Sequence, residues 1–225
     1  MSLPKQLALP FPHQPDYAAE AFLEAHSNAD ARAWLNRSAE WPGGRLVLWG
    51  EAGSGKTHLL HRWALGEGAM VLDGRSMQHL IPVPEQPLAI DNADEAPETP
   101  LLHVLNAAAE AKQRLLLAAR VPPARWAMRL PDLASRLRAT TAVGILRPDD
   151  LLLRSLLARL LAERRLCVSQ PVQDWLLVRL PRSPAAIREA VERLDRLAWQ
   201  SGRAVGRGMA AAVLAEVEQG CSSAD

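Results

Sequence analysis

Eight consecutive residues carry the plainest chemistry in the sequence: Gly50, Glu51, Ala52, Gly53, Ser54, Gly55, Lys56 and Thr57. Their pattern is G-x-x-x-x-G-K-[ST]. The glycines let successive backbone N–H groups turn toward an oxyanion, Lys56 adds a cation, and the Thr57 hydroxyl is a hard oxygen ligand for Mg²⁺. The helix predicted to start there adds the positive end of its dipole. This arrangement binds the phosphates of a nucleotide. The alternative, a chance glycine-rich turn, lacks the apolar strand-like run that enters here and the apolar helix that leaves. A second Mg²⁺ ligand must come from the end of a neighbouring strand, and Asp91, closing Leu88-Ala89-Ile90, is the placed candidate. The residue after it is Asn92. A hydrolytic site needs a carboxylate there to polarise water, and an amide cannot accept the proton. Asp94 is the nearby carboxylate that could substitute, but it sits two residues further along a turn. The expectation is a nucleotide-binding chain with weak or no hydrolysis of its own.

The elements that must position these groups follow from the apolar periodicity. Runs at 45–49, 69–73, 87–91, 114–119 and 140–146 read as strands, and 56–65 and 99–112 as helices. Strands that are apolar throughout and alternate with helices imply a parallel sheet covered on both faces. Residues 17–38 are Ala-rich and helix-prone, with Ser27 and Asn28 as a break or cap. From Pro148 the pattern becomes helical only, at about 149–165, 171–180, 184–201 and 207–218. The expected division is an extended arm at 1–16, which holds four prolines, an α/β nucleotide-binding core at 17–147, and a small helical lid at 148–225.

Composition excludes several classes. The chain has 225 residues, 48% hydrophobic and 23% charged, and a formal net charge of +1, so no summed field favours nucleic acid or an acidic membrane. No basic block is present. Cys167 and Cys221 match no metal or redox spacing. The N-terminus lacks an apolar stretch long enough for a signal peptide, and no run approaches the roughly 20 apolar residues of a membrane span. A cytoplasmic location is expected. His58 and His61 read as a packed helix face, because no third ligand stands at metal-site spacing. Scattered tryptophans read as core. The Leu-rich stripe at 151–161 reads as the lid's own core, with a self-association face as the second reading.

A P-loop α/β core followed by a small helical lid resembles the AAA+ ATPases, and several segments narrow the resemblance. Residues 50–59, ending Gly55-Lys56-Thr57-His58-Leu59, resemble the phosphate loop of the bacterial replication initiator DnaA. Phe22-Leu23-Glu24-Ala25-His26-Ser27-Asn28 is similar to its adenine-contacting segment. Leu130-Pro131-Asp132-Leu133-Ala134-Ser135-Arg136-Leu137 is similar to the segment bearing its arginine finger. Ile90-Asp91-Asn92 and the 130–137 stretch are similar to the Hda-type regulators of DnaA. The resemblance covers about residues 17–218. No basic recognition helix follows the last helix before Asp225, whereas DnaA carries a DNA-binding domain there. Gln6-Leu7-Ala8-Leu9-Pro10-Phe11 resembles the sliding-clamp-binding peptide of Hda-type proteins. Gln6 can anchor by hydrogen bonds, Leu7, Leu9 and Phe11 offer apolar anchors, and Pro10 reduces the ordering cost. By motif alone the same arm could equally pack on its own core.

The resemblance implies a function carried out with partners. The chain would dock on the DNA polymerase sliding clamp through Gln6, Leu7, Leu9, Pro10 and Phe11, touching DNA only through the clamp. It would stimulate hydrolysis of ATP bound to DnaA, with Arg136 as the trans-acting finger. A solvated helix arginine is the bland reading of Arg136. ADP or ATP would be held by residues 50–57 with His58, Asp91 and Arg188, and Mg²⁺ by Thr57 and Asp91. Three positions depart from the family pattern: Asn92, Ala118-Ala119 where a polar sensor precedes Arg120, and Ala185 where a lid arginine falls, with Arg182 and Arg188 a turn to either side. Two other functions stay open. A self-sufficient ATPase such as a DnaC-like helicase loader would turn over nucleotide alone, and a P-loop kinase would need an acceptor-binding lid.

Overall fold

The computed structural model describes residues 23–78 and 85–222. Five parallel strands form one sheet: β1 (Arg45–Trp49), β2 (Met70–Asp73), β3 (Leu88–Asp91), β4 (Leu115–Ala119) and β5 (Thr141–Gly144), in the order β2-β3-β4-β1-β5. The register pairs Leu46 with Leu116 and with Thr141, Ile90 with Leu117, and Asp73 with Asp91. A parallel sheet must be covered on both faces, and the alternation of side chains along each strand shows how. Val47, Leu88, Ile90, Leu115 and Leu117 point to one face, where α3 (Glu98–Glu110) and α4 (Pro131–Arg138) bury Leu101, Val104, Leu105, Leu133 and Leu137. Leu46, Leu48, Ala89, Leu116 and Ala118 point to the other. There α1 (Ala29–Leu35) and α2 (Lys56–Glu67) contribute Leu35, Leu59, Leu60 and Trp63.

Local chemistry explains where the first helix begins. The Asn28 side chain accepts from the Ala25 backbone N–H and donates to the Leu23 carbonyl. This ties the chain into a tight turn, so the helix-prone stretch becomes α1 only from Ala29. Just beyond α1, Trp41 stacks on Trp63 with centroids 5.2 Å apart, and its indole N–H donates to the Trp34 carbonyl. The tryptophans are not uniformly core: Trp41, Trp63 and Trp126 are buried, but Trp199 is 72% exposed. The short helix α4 falls between the fourth and fifth strands, where periodicity alone marked no element, because about two turns with two buried leucines are too short to display a period.

Among the described residues the chain divides into two compact units, residues 23–152 with Ser183–Ala185, and Leu153–Arg182 with residues 186–222. The second unit is helical: α5 (Asp150–Glu163), α6 (Gln170–Arg179), α7 (Pro184–Ser201) and α8 (Arg207–Ser222). Its core comes from Leu153, Leu156, Leu157 and Leu161 of α5, Leu176 of α6, Ile187, Val191 and Leu194 of α7, and Val213 and Val217 of α8. A single parallel bridge between Val168 and Val205 joins the approaches to α6 and α8. No described helix is long and apolar enough to cross a membrane.

Leu116 lies at the centre of the sheet and is fully buried. Leu116→Ala should lower stability by about 2–5 kcal/mol, the transfer loss plus a cavity the flanking strands cannot close. Chemical denaturation monitored by circular dichroism checks this.

Candidate nucleotide site

The strands run parallel, so their carboxyl ends share one edge of the sheet. Ligands of such sheets bind where neighbouring connections leave in opposite directions. Here that point is β1, flanked by β4 and β5. From Trp49 the chain passes through residues 50–55 into α2. Gly53 and Gly55 have φ of +74° and +99°, the left-handed region that only glycine enters freely. Gly55 is the N-cap of α2, so the glycine-rich turn and the positive helix end coincide. Ser183–Ala185 belong to the same unit, and a Cβ built on Gly53 would lie 2.7 Å from the Ala185 Cβ.

Lys56 is half-buried, and its ammonium donates to the carbonyls of Gly50 and Glu51 at 2.7 and 2.8 Å. Burial lowers its pKa, while attraction to Asp91 and Asp94 opposes that. The Thr57 hydroxyl donates to Asp91 Oδ2 at 2.7 Å, bringing the start of α2 onto the end of β3. These two hard oxygens, with room for water and phosphate oxygens, fit Mg²⁺ rather than a softer metal. His58 is part-buried on the first turn of α2. The His61 imidazole, one turn further, has its pKa lowered by burial, partly offset by Asp91. Glu51 is exposed and paired with Arg147 at 2.7 Å.

Asn92 has a left-handed backbone with φ of 51°, and its N–H donates to Asp91 Oδ1. Its carboxamide donates to Asp73 Oδ1 at 3.1 Å, across the β2–β3 pair. Sequence reasoning missed Asp73. The signal was present, since Met70-Val71-Leu72-Asp73 ends on a carboxylate just as the Asp91 strand does, but only the register places the two side by side. Arg75 hydrogen-bonds Asp73 and, as the largest of several causes, holds its carboxyl at about 2. Such a carboxylate is too weak a base to take a proton from water near neutrality. Ala119 is buried at the end of β4, so no polar side chain stands there, and Arg120 beyond it is exposed and pairs with Glu95. Asp94 Oδ2 accepts the Arg120 backbone N–H, while its other oxygen is buried with no hydrogen-bond partner among the described residues.

Arg136 lies on α4, whose other face buries Leu133 and Leu137 completely or nearly so. Its guanidinium donates to Asp132 at 3.0 Å, one turn back, and the side chain remains 38% exposed. A second residue missed by sequence reasoning fixes this segment. Glu98, opening α3, accepts the backbone N–H groups of Arg129 and Leu130 at 2.9 and 2.7 Å, just ahead of α4. Arg182 and Arg188 are exposed and belong to the helical unit. Gln6, Leu7, Leu9, Pro10 and Phe11 lie outside the described residues, as does Phe22.

With this geometry the fold can be compared with solved structures. Domain III of the replication initiation protein DnaA from Thermotoga maritima matches with a TM-score of 0.75 at 18% identity, covering 92% of this chain and 99% of that one. AMPPCP-bound DnaA from Aquifex aeolicus matches with a TM-score of 0.68 at 19% identity, over 84% of this chain and 68% of that one. The fold is that of AAA+ P-loop proteins. The Thermotoga maritima RuvB Holliday junction branch migration motor shares it, with a TM-score of 0.67 at 14% identity over 88% of this chain and 71% of that one. No family model matches the sequence.

The Glu98 carboxyl is held below the usual carboxylate range by the two backbone N–H groups it accepts. A depressed carboxylate contributes stability that is complete above its unfolded pKa and lost as pH falls through its folded one. The amide of Leu130 should therefore lose hydrogen-exchange protection as pH drops below about 4. Glu98→Ala should remove that step and leave low protection at every pH, which amide exchange followed by NMR checks.

Proposed function

We propose that this chain is an Hda-like regulator that holds an adenine nucleotide with Mg²⁺ as a structural ligand and activates hydrolysis on a neighbouring AAA+ protein. The carrying observation is the contrast between two places in one unit. At the chain's own phosphate loop, Asn92 turns its amide to Asp73, Asp73 is neutralised by Arg75, and Ala119 offers no polar contact. On α4, by comparison, Arg136 is half-exposed, held among the described residues only by Asp132 on its own helix and backed by buried leucines. The first place can bind without catalysing. The second can serve a site elsewhere.

In this reading ADP or ATP lies against residues 50–57. Its phosphates take over the Lys56 ammonium from the Gly50 and Glu51 carbonyls. Thr57 and Asp91 hold Mg²⁺, which neutralises phosphate charge when bound. Arg136 leaves Asp132 and reaches the γ-phosphate of ATP on the partner, where such a group stabilises transition-state charge and accelerates hydrolysis by about 10³–10⁵. The partner is DnaA, and Gln6 to Phe11 dock the chain on the sliding clamp. The DnaA-like fold and the resemblance of these segments support that assignment. Residues 1–16 act as arm, 17–147 as nucleotide-binding core and 148–225 as lid. The Asp132–Arg136 pair is exposed and weak, so its release opposes the transfer little.

One observation favours a second reading, a self-sufficient ATPase such as a helicase loader. Asp94 has a buried carboxylate oxygen without a hydrogen-bond partner and acts electrostatically on Lys56, so it is placed to attract water near the phosphates. Turnover separates the two. The purified chain should release phosphate from ATP negligibly, whereas brisk release, abolished by Asp94→Asn, establishes the second reading.

Lys56→Ala should weaken Mg²⁺–ADP binding at least about tenfold, since a hydrogen-bonded charge contact to phosphate is worth about 1.5–3 kcal/mol. Equal calorimetric affinity in the two proteins would refute the phosphate site. Docking and activation should also separate. Gln6→Ala with Leu9→Ala should abolish binding to DNA-loaded clamp while ADP affinity stays, and stimulation of DnaA falls because local concentration is lost. Arg136→Ala should keep both affinities and lose stimulation in single-turnover hydrolysis of DnaA-bound ATP. Full stimulation by Arg136→Ala removes the finger assignment.

A further inference from the structure

The formal charge of +1 conceals an uneven distribution. In the helical unit, residues 153–182 and 186–222 hold eleven arginines against seven carboxylates, with no lysine or histidine. Glu163, Asp174, Glu189, Glu192, Asp195 and Glu216 lie within ion-pair distance of an arginine, and five arginines serve these six. The surplus is therefore positive.

Two of the remaining arginines converge on one indole. Arg179, one turn beyond Trp175 on α6, places its guanidinium carbon 4.6 Å from the ring centroid. Arg207, at the start of α8, places its own at 5.5 Å. They meet because α6 packs on α8 and the Val168–Val205 bridge fixes the approach of both helices. Both arginines are exposed and Trp175 is half-buried. Among the described residues no carboxylate pairs with either arginine. Asp174, the adjacent acid, is engaged by Arg154 and Gln170. The Arg179 guanidinium also donates to the Trp175 carbonyl at 3.4 Å, and the indole offsets part of the repulsion between the two cations while restricting their rotamers. That is a preorganised receptor for paired anionic oxygens.

We propose that this face of α6 and α8 binds the phosphodiester backbone of duplex DNA directly, without regard to sequence. Two observations choose that ligand. A surplus of four charges over residues 153–182 and 186–222 complements a long polyanion of regular charge rather than one acidic segment. Single-strand binders present a bare aromatic ring for base stacking, whereas the ring of Trp175 already carries two guanidinium groups. The contact goes beyond docking through a clamp, and it stands or falls independently of that reading.

The test uses the full chain and a fluorescently labelled duplex of about 30 base pairs and mixed sequence, with anisotropy read between about 50 and 200 mM salt. Wild type should bind weakly, with affinity falling steeply as salt rises. Arg179→Ala with Arg207→Ala should lower affinity at least about fivefold and reduce the log–log salt slope by about 2, since each lost phosphate contact removes about 0.9. Arg179→Gln with Arg207→Gln, which retains side-chain length, should do the same, and an unchanged far-ultraviolet spectrum and ADP affinity show that both variants are folded. The proposal is overturned by undetectable wild-type binding at the lowest salt, or by an unchanged slope in both folded variants. Tighter binding of the corresponding single strand overturns the duplex assignment. Displacement of the duplex by polyglutamate at equal charge concentration assigns the face to an acidic protein instead.

Discussion

The parallel register of β3, β4 and β1 is the constraint on which the phosphate site depends. Because Leu46 pairs with Leu116 and Ile90 with Leu117, the strands end together, and Gly50, Ala119 and Asp91 arrive at the same edge. The hydrogen bond from the Thr57 hydroxyl to Asp91 then spans from the start of α2 to the end of β3. Slipping one strand by a single residue would exchange its two faces, drive Leu116 or Leu117 out of its helix layer and separate these two oxygens. The apolar packing on both faces is thus also the device that sets the spacing of the two oxygens proposed to hold Mg²⁺. The left-handed glycines need only fit a frame that the strands have already fixed.

At the same edge a carboxylate pair and an amide meet. Asp73 and Asp91 close neighbouring strands in register, so two carboxylates arrive side by side. They are treated differently. Asp91 faces the Thr57 hydroxyl, whereas Asp73 takes hydrogen bonds from Arg75 and from the Asn92 amide. A carboxylate in that position at Asn92 would face Asp73 as a like charge. The amide relieves this by donating instead, at the expense of basicity where an attacking water would be polarised.

Charge is organised differently in the two units. Around the phosphate loop acids and bases alternate closely, as in Lys56 with Asp91 and Asp94, Glu51 with Arg147, and Arg120 with Glu95. In the helical unit six acids are paired within helices or between them, and the surplus is arginine alone. A net charge near zero is thus the sum of a mildly acidic set, fourteen bases against sixteen acids at 17–152 with 183–185, and a basic one, eleven arginines against seven acids at 153–182 with 186–222, which have different consequences for binding.

The sequence by itself determined the phosphate loop, the alternation of strands and helices, and the change to helices near residue 148. These are local: a glycine pattern needs only its neighbours, and period two or 3.6 is written in consecutive residues. It also identified Asp91, because a polar residue closing an apolar run is a local signal. Asp73 ends its strand just as visibly, yet its partnership with Asn92 depends on the pairing of β2 with β3, which no local pattern encodes. Glu98 bracing Arg129 and Leu130 spans some thirty positions and exists only once α3 and α4 pack on one face of the sheet. The tertiary structure likewise decided that Trp175 gathers Arg179 and Arg207 while Trp41 and Trp63 stack in the core. Composition cannot separate these tryptophans, because what a ring does follows from which helices enclose it.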